Sequence, residues 1–137
     1  MMEGFWNRLK SEWYRKGLKH STLTKIAVPF ILKKAPDAKT FLDAGSGCGT
    51  LAIPLAKAGK KVTALDSSKA MIEILKEEAS KAKVNKRITA VNAAWGDLEL
   101  KRHDAVLCAN VPALLKDSLP FLKGADATAK KAVFLIE

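Results

Sequence analysis

Two cysteines, one tyrosine and five prolines stand among 137 residues, and no apolar run reaches the roughly 18 residues that a membrane-crossing helix needs. These shortages exclude several classes. Cys48 and Cys108 cannot make the disulfide framework of a small secreted domain. Far apart in sequence, they also give no zinc-ligand spacing, so no metal site is expected. The start, Met1-Met2-Glu3-Gly4-Phe5-Trp6, lacks the apolar stretch of a signal peptide. A reducing cytoplasm is therefore the expected setting. Acid is scarce too, with 14 Asp and Glu against 24 Lys and Arg, for a net charge of +10. The imbalance is sharpest early, where Arg8, Lys10, Arg15, Lys16, Lys19, Lys25, Lys33 and Lys34 face only Glu3 and Glu12. Such a field suits RNA, an anionic membrane surface or an acidic substrate. It equally suits a solvated helix face, since no glycine- or arginine-rich tract and no regular aromatic spacing accompany it.

What is present is a globular composition, 48% hydrophobic, in one domain of ordinary size. Phe5, Trp6, Leu9 and Trp13 recur at helical spacing and predict an amphipathic helix over 3–17, stopped by Gly17. Ser21 is the expected cap of a second helix carrying Leu23, Ile26, Ala27, Phe30 and Ile31, kinked or restarted at Pro29. From residue 40 the pattern alternates. Strands are predicted at 40–44, 61–66, 87–92, 104–109 and 131–136. Helices are predicted at 50–58, 68–83 and 112–123, the first ended by Gly59 and the last interrupted near Pro120. Residues 93–102 form a loop or short turn. Such alternation implies right-handed crossovers and a parallel sheet covered on both faces. The final apolar strand, Phe134-Leu135-Ile136-Glu137, would then be an exposed edge, open to pairing or to a dimer partner.

Chemistry concentrates between Phe41 and Asp66. An apolar strand ends in Asp43-Ala44-Gly45-Ser46-Gly47-Cys48-Gly49-Thr50, a helix follows, and the next strand ends in Asp66. Glycine lets the backbone turn sharply and approach a ligand closely. The helix is expected to aim its free N–H groups at the same spot. Asp66 stands where a carboxylate accepts hydrogen bonds from both ribose hydroxyls. The pattern points to an adenosine-containing ligand. A dinucleotide fingerprint asks for its third glycine one position later, where Thr50 stands. The acid at 43 would also repel a pyrophosphate.

Asp43-x-Gly45-x-Gly47-x-Gly49, with Asp66, Ser67-Ser68-Lys69-Ala70-Met71 and His103-Asp104-Ala105-Val106-Leu107-Cys108-Ala109-Asn110, resembles class I S-adenosylmethionine-dependent methyltransferases. The resemblance runs from about Phe41 to Glu137. It implies an α/β fold, a Rossmann-like three-layer sandwich with a mostly parallel sheet. About five strands are present, and the last two family strands are expected to be missing. Residues 1–36 would form an N-terminal helical cap and 37–137 a C-terminally truncated cofactor-binding core. The implied cofactor is S-adenosyl-L-methionine, with S-adenosyl-L-homocysteine as product. By position, Gly45, Gly47 and Gly49 wrap it, Ser46 and Cys48 offer backbone groups, and Asp43 holds the amino end. Asp66 holds the ribose, with Ser67 beside it. Met71 packs near the adenine, and Ala94 and Trp95 replace an acid that is absent or displaced to Asp97. Asn110 faces the methyl group.

The implied reaction is in-line methyl transfer, with a small-molecule acceptor favoured. One alternative is a non-catalytic cofactor-binding or scaffolding subunit. Another is an RNA adenine methyltransferase, because Asn110-Val111-Pro112-Ala113 is similar to the motif of amino-group methyltransferases, with Ala113 in the aromatic position. His20 is a candidate base; His103, at a strand start, is a poor one. Trp6, Trp13 and Tyr14 are candidate lid or core residues.

Overall fold

The computed structural model describes residues 7–17, 22–109, 111, 114, 116 and 118–136. Helices α1 (Arg8–Gly17) and α2 (Leu23–Lys34) lead into β1 (Thr40–Ala44), α3 (Ala52–Lys57), β2 (Lys61–Asp66) and α4 (Lys69–Lys81). A single 3-10 turn, Asn85–Arg87, precedes β3 (Ile88–Asn92), and β4 (His103–Ala109), α5 (Ser118–Thr128) and β5 (Ala129–Ile136) complete the described chain. All strand pairs are parallel, in the order β3-β2-β1-β4-β5. The apolar runs of β1 and β4 are buried on both sides, as central parallel strands require.

One face carries Phe41, Val62, Ala64, Leu107 and Phe134, packed against Ile31 of α2, Leu55 of α3 and Leu75 of α4. The other carries Leu42, Val106 and Cys108 under Phe121 and Ala125 of α5. No helix connects β3 to β4. Residues 93–102 cross that face as a plain segment, resting Trp95 and Leu100 on the core. Ten extended residues reach at most about 33 Å, enough to return past β2 and β1. Among the described residues no helix is long and apolar enough to cross a membrane.

The helix expected at 50–58 begins only at Ala52. Positive φ at Gly45, Gly47 and Gly49 keeps the chain out of helical geometry until the Ile53 N–H donates to the Gly49 carbonyl at 3.0 Å. The helix expected at 112–123 is Ser118–Thr128 instead. Pro120 therefore lies in its first turn, where a missing N–H breaks no bond. Pro29 does not restart α2, which runs on through it. Its side chain and that of Lys25, whose carbonyl loses the partner, both face solvent. Ser21 lies outside the described residues; Thr22 is at the cap, with no side-chain bond.

The early basic excess is partly neutralised across the fold. Arg8 pairs with Glu12 at 2.7 Å, Glu77 at 3.2 Å and Glu73 at 3.8 Å. Arg15 pairs with Glu12, with Glu78 at 3.0 Å and with Glu77 at 3.8 Å. Helix α1 is thereby strapped to α4.

Candidate functional site

Because β1 and β2 are parallel neighbours, Ala44 and Leu65 lie side by side and the glycine loop meets Asp66. The Gly45 and Ser46 N–H groups donate to the Leu65 carbonyl at 2.7 and 2.9 Å, and that of Gly49 to the Ser46 carbonyl at 3.2 Å. Asp66 ties the loop to α4: one carboxylate oxygen accepts from the Gly47 N–H at 2.9 Å, the other from the Ser68 N–H at 2.8 Å. Ser68 in turn caps α4, its hydroxyl accepting from the Met71 N–H at 3.2 Å. Four loop N–H groups are thus already donated, which leaves little for a pyrophosphate to bind.

The glycines differ in what demands them. A Cβ at Gly45 would stand 2.3 Å from Val111 Cγ2, and one at Gly49 would stand 2.4 Å from Leu75 Cδ1. At Gly47, with φ +58°, a Cβ would meet nothing within 4 Å. The loop is therefore packed tight at its ends and open at its middle.

Two carboxyls face the same space. Asp43 is 2% exposed, and burial, with Asp66 adding, pushes its pKa up to about 8. Burial also raises Asp66, opposed by the two N–H bonds it accepts. The Tyr14 phenol is raised by burial and by Cys48, against a hydrogen bond with Thr50. Ser46 Oγ is buried without a hydrogen-bond partner, the one such side-chain atom among the described residues.

These groups border a cavity of about 240 Å³ at the carboxyl ends of the strands, where ligands of open α/β sheets bind. Of the anticipated residues, Asp43, Gly45, Ser46 and Gly47 line it from the first strand and loop. Asp66, Ser67 and Met71 line it from the second strand and α4, and Ala94 and Trp95 from beyond β3. Cys48 and Gly49 do not; Cys48 is buried with Met71 and Ile74, with Tyr14 packed alongside. Trp95 is held by Phe121, ring centroids 5.0 Å apart.

Asp97 is exposed and outside the cavity, its N–H closing a turn onto the Ala94 carbonyl at 3.1 Å. His103 lies at the opposite end of the sheet, with Nδ1 on the Lys101 carbonyl at 2.7 Å and Nε2 on the Thr63 hydroxyl at 2.9 Å. Trp13 is 61% exposed. His20, Asn110, Trp6 and Ala113 lie outside the described residues. The wall also includes residues the sequence reading passed over: Leu23, Thr50, Leu51, Val111 and Leu114. Thr50, the polar residue directly after the loop, carried a signal; the apolar ones look like core in any one-dimensional pattern.

A family model described as a methyltransferase domain matches residues 41–130. A ubiquinone biosynthesis O-methyltransferase of Methylocella silvestris is 36% identical over 91 residues, covering 65% of this chain and 35% of its own length. A probable ribosomal RNA small subunit methyltransferase A of Methanosphaera stadtmanae is 30% identical over 101 residues, or 74% of this chain and 36% of that protein. The chain thus spans little more than a third of the length of these curated relatives.

Among solved structures, a putative S-adenosyl-L-methionine-dependent methyltransferase from Methanococcus maripaludis superposes with a TM-score of 0.80 at 22% identity. That match covers 94% of this chain and 63% of the other. Magnesium protoporphyrin IX methyltransferase from Synechocystis, with bound S-adenosyl-L-methionine, gives 0.74 at 22% identity over 85% and 57%. At such identities the likeness is one of fold.

Proposed function

The chain belongs to the methyltransferase-domain family, and on that premise we propose that it is the cofactor-holding core of an S-adenosyl-L-methionine-dependent methyltransferase. The observation that carries this reading is the glycine loop pinned by Asp66 beside the orphaned hydroxyl of Ser46. The residues fit the cofactor. Each oxygen of Asp66 keeps a lone pair beyond the N–H it already accepts, enough for two ribose hydroxyls. Ser46 Oγ lacks the partner that a buried hydroxyl requires. Gly47 leaves open the space a Cβ would fill. Asp43 places a buried carboxyl where a cationic amino group would sit, and that cation would favour its ionised form. Met71, Ala94 and Trp95 offer apolar surface to an adenine.

When bound, S-adenosyl-L-methionine supplies a methyl group on a sulfonium, ready for direct displacement. The protein's part is then positioning and exclusion of water. No covalent intermediate is called for, and the Cys108 thiol, pushed up to about 12 by burial and Asp43, is no nucleophile at neutral pH. The rest of the wall, Tyr14, Leu23, Val111 and Leu114, is largely apolar. We take the acceptor to be a small molecule with apolar surface. An RNA adenine acceptor would use the same cofactor site, and the ribosomal RNA relative speaks for it. Against it, Ala113 cannot stack a flipped base, an interaction worth roughly 1–3 kcal/mol.

Calorimetric titration tests the reading. S-adenosyl-L-methionine and S-adenosyl-L-homocysteine should bind and NAD should not; binding of NAD alone would overturn it.

A further inference from the structure

Six pairs of adjacent basic residues occur in the chain, and five of them gather on one rim of the sheet. Parallel strands all begin at the same edge, and the helices between them run back to end there. Lys33 and Lys34 close α2. Lys60 and Lys61 enter β2, and Lys86 and Arg87 form the turn into β3. Lys101 and Arg102 directly precede β4, and Lys130 and Lys131 open β5. Nine of these ten side chains are exposed and Lys60 is half-buried. Pairing aligns them, with Lys61 opposite Thr40 and its N–H on the Lys39 carbonyl at 3.0 Å. The sixth pair, Arg15-Lys16, ends α1.

Helix dipoles account for Lys33, Lys34, Lys57 and Lys81, which sit at helix C-termini. They do not account for the doublets that open strands, where like charges repel at a cost in stability. Acid is outnumbered on this rim. Asp104 is occupied, its carboxylate accepting the Lys39 and Thr40 N–H groups at 2.8 and 3.2 Å. The other carboxylates near the rim are Asp37, Glu99 two residues before Lys101, and Asp126 and Glu78 in the last turns of α5 and α4. Among the described residues, the ion pair that a rim lysine forms is Lys81–Glu78 at 3.5 Å.

We propose that this rim, at the end of the sheet opposite the cavity, is a docking surface for the phosphodiester backbone of a double-stranded nucleic acid. The five strands spread the doublets over four spacings, about 19 Å. A duplex presents roughly eleven phosphates over that length. Of the large exposed apolar side chains, Trp13 lies on α1 and Leu119 at the start of α5, while Ile26 and Phe30 lie on α2 before its closing doublet. Among the described residues, the exposed aromatic nearest the doublets is Phe30, whose ring packs edge-on against Phe134 at 6.4 Å and lies under Lys34 Nζ at 5.8 Å, so unpaired bases find little to stack on. With no apolar wedge, a membrane surface gains no insertion. A duplex backbone needs neither. The surface lies a strand's length from the cavity, so the duplex bound there is an anchor and not the methyl acceptor. This inference does not rest on the cofactor reading.

Fluorescence anisotropy with 20-base-pair duplex RNA and duplex DNA, between 50 and 200 mM salt, tests it. The logarithm of the binding constant should fall with the logarithm of salt at a slope of about −4 or steeper. The double variant Lys60→Glu/Lys61→Glu should bind at least tenfold more weakly, with the slope reduced by about 2. Lys25→Glu/Lys76→Glu, the same change in net charge away from the rim, should lose less than threefold. Lys60→Gln/Lys61→Gln replaces the first pair if charge reversal disturbs folding, read by circular dichroism. The tighter of the two duplexes identifies the source of the backbone. Equal losses in both double variants, no duplex binding at 50 mM salt, or tighter binding to a single strand or to phosphatidylserine vesicles would each overturn the proposal.

Discussion

The two ends of the sheet are built from the same strands and could hardly differ more. At the carboxyl end the chain turns on glycines, buries Asp43, and leaves one hydroxyl without a partner. At the amino end it turns on exposed lysines and arginines whose charges find few acids. Burial makes the first end costly and shape-specific, because a buried polar group must find a partner. Exposure makes the second cheap in desolvation and general in what it attracts, because surface charge acts at long range and is screened by salt. A shape-specific end suits a small ligand; a charged, open end suits an extended polyanion.

If the carboxyl end is the ligand end, Asp66→Ala should cost it most. Affinity for S-adenosyl-L-methionine should fall about 100-fold, since a charge-assisted acceptor is worth roughly 1.5–3 kcal/mol and two N–H groups lose their partner. Calorimetry reads the loss, and parent-like affinity would remove Asp66 from the site. The glycines should separate packing from binding. Gly45→Ala and Gly49→Ala should destabilise by roughly 2–4 kcal/mol in urea melts, because both combine positive φ with a clash. Gly47→Ala should cost only about 1–2 kcal/mol, yet weaken ligand binding more than either.

The buried carboxyl predicts a pH dependence peculiar to this end. Asp43 titrates near 8 when folded, against about 3.9 unfolded. Between those values the folded state holds a proton that the unfolded state has released. Stability should therefore fall as pH rises from about 4 to about 8, then level. Asp43→Asn should flatten that fall in thermal melts, and an unchanged slope would mean the carboxyl is not buried in solution. The smallest effect belongs to the strap over the cavity. Arg15→Ala removes partly exposed ion pairs to Glu77 and Glu78 and should cost about 0.5–1 kcal/mol. It should also loosen Tyr14, with a loss of ligand affinity of about threefold.

Much of this architecture is legible along the chain. β1 and β2 fall at the predicted residues because their apolar runs stop at a loop and an acid. The inward face of α4, namely Met71, Ile72, Ile74, Leu75 and Ala79, follows from helical spacing. Helix limits were less legible where a proline stood. Pro29 suggests a kink or a restart and Pro120 an interruption, yet one sits on a solvated face of a continuous helix and the other in a first turn. Asp97 resembled a ligand acid by position, but a turn at 94–97 carries it out to solvent.

The sequence by itself determined the strand–loop–helix order, the glycine loop and its two carboxylates, because backbone freedom and hydrophobic period are local properties. Only the tertiary structure decided that Gly45 answers to Val111 and Gly49 to Leu75, and that Arg8 and Arg15 meet the acids of α4. It likewise decided that five scattered basic doublets share one rim. Those facts depend on which strands lie side by side and which ends they share, and no local period encodes that.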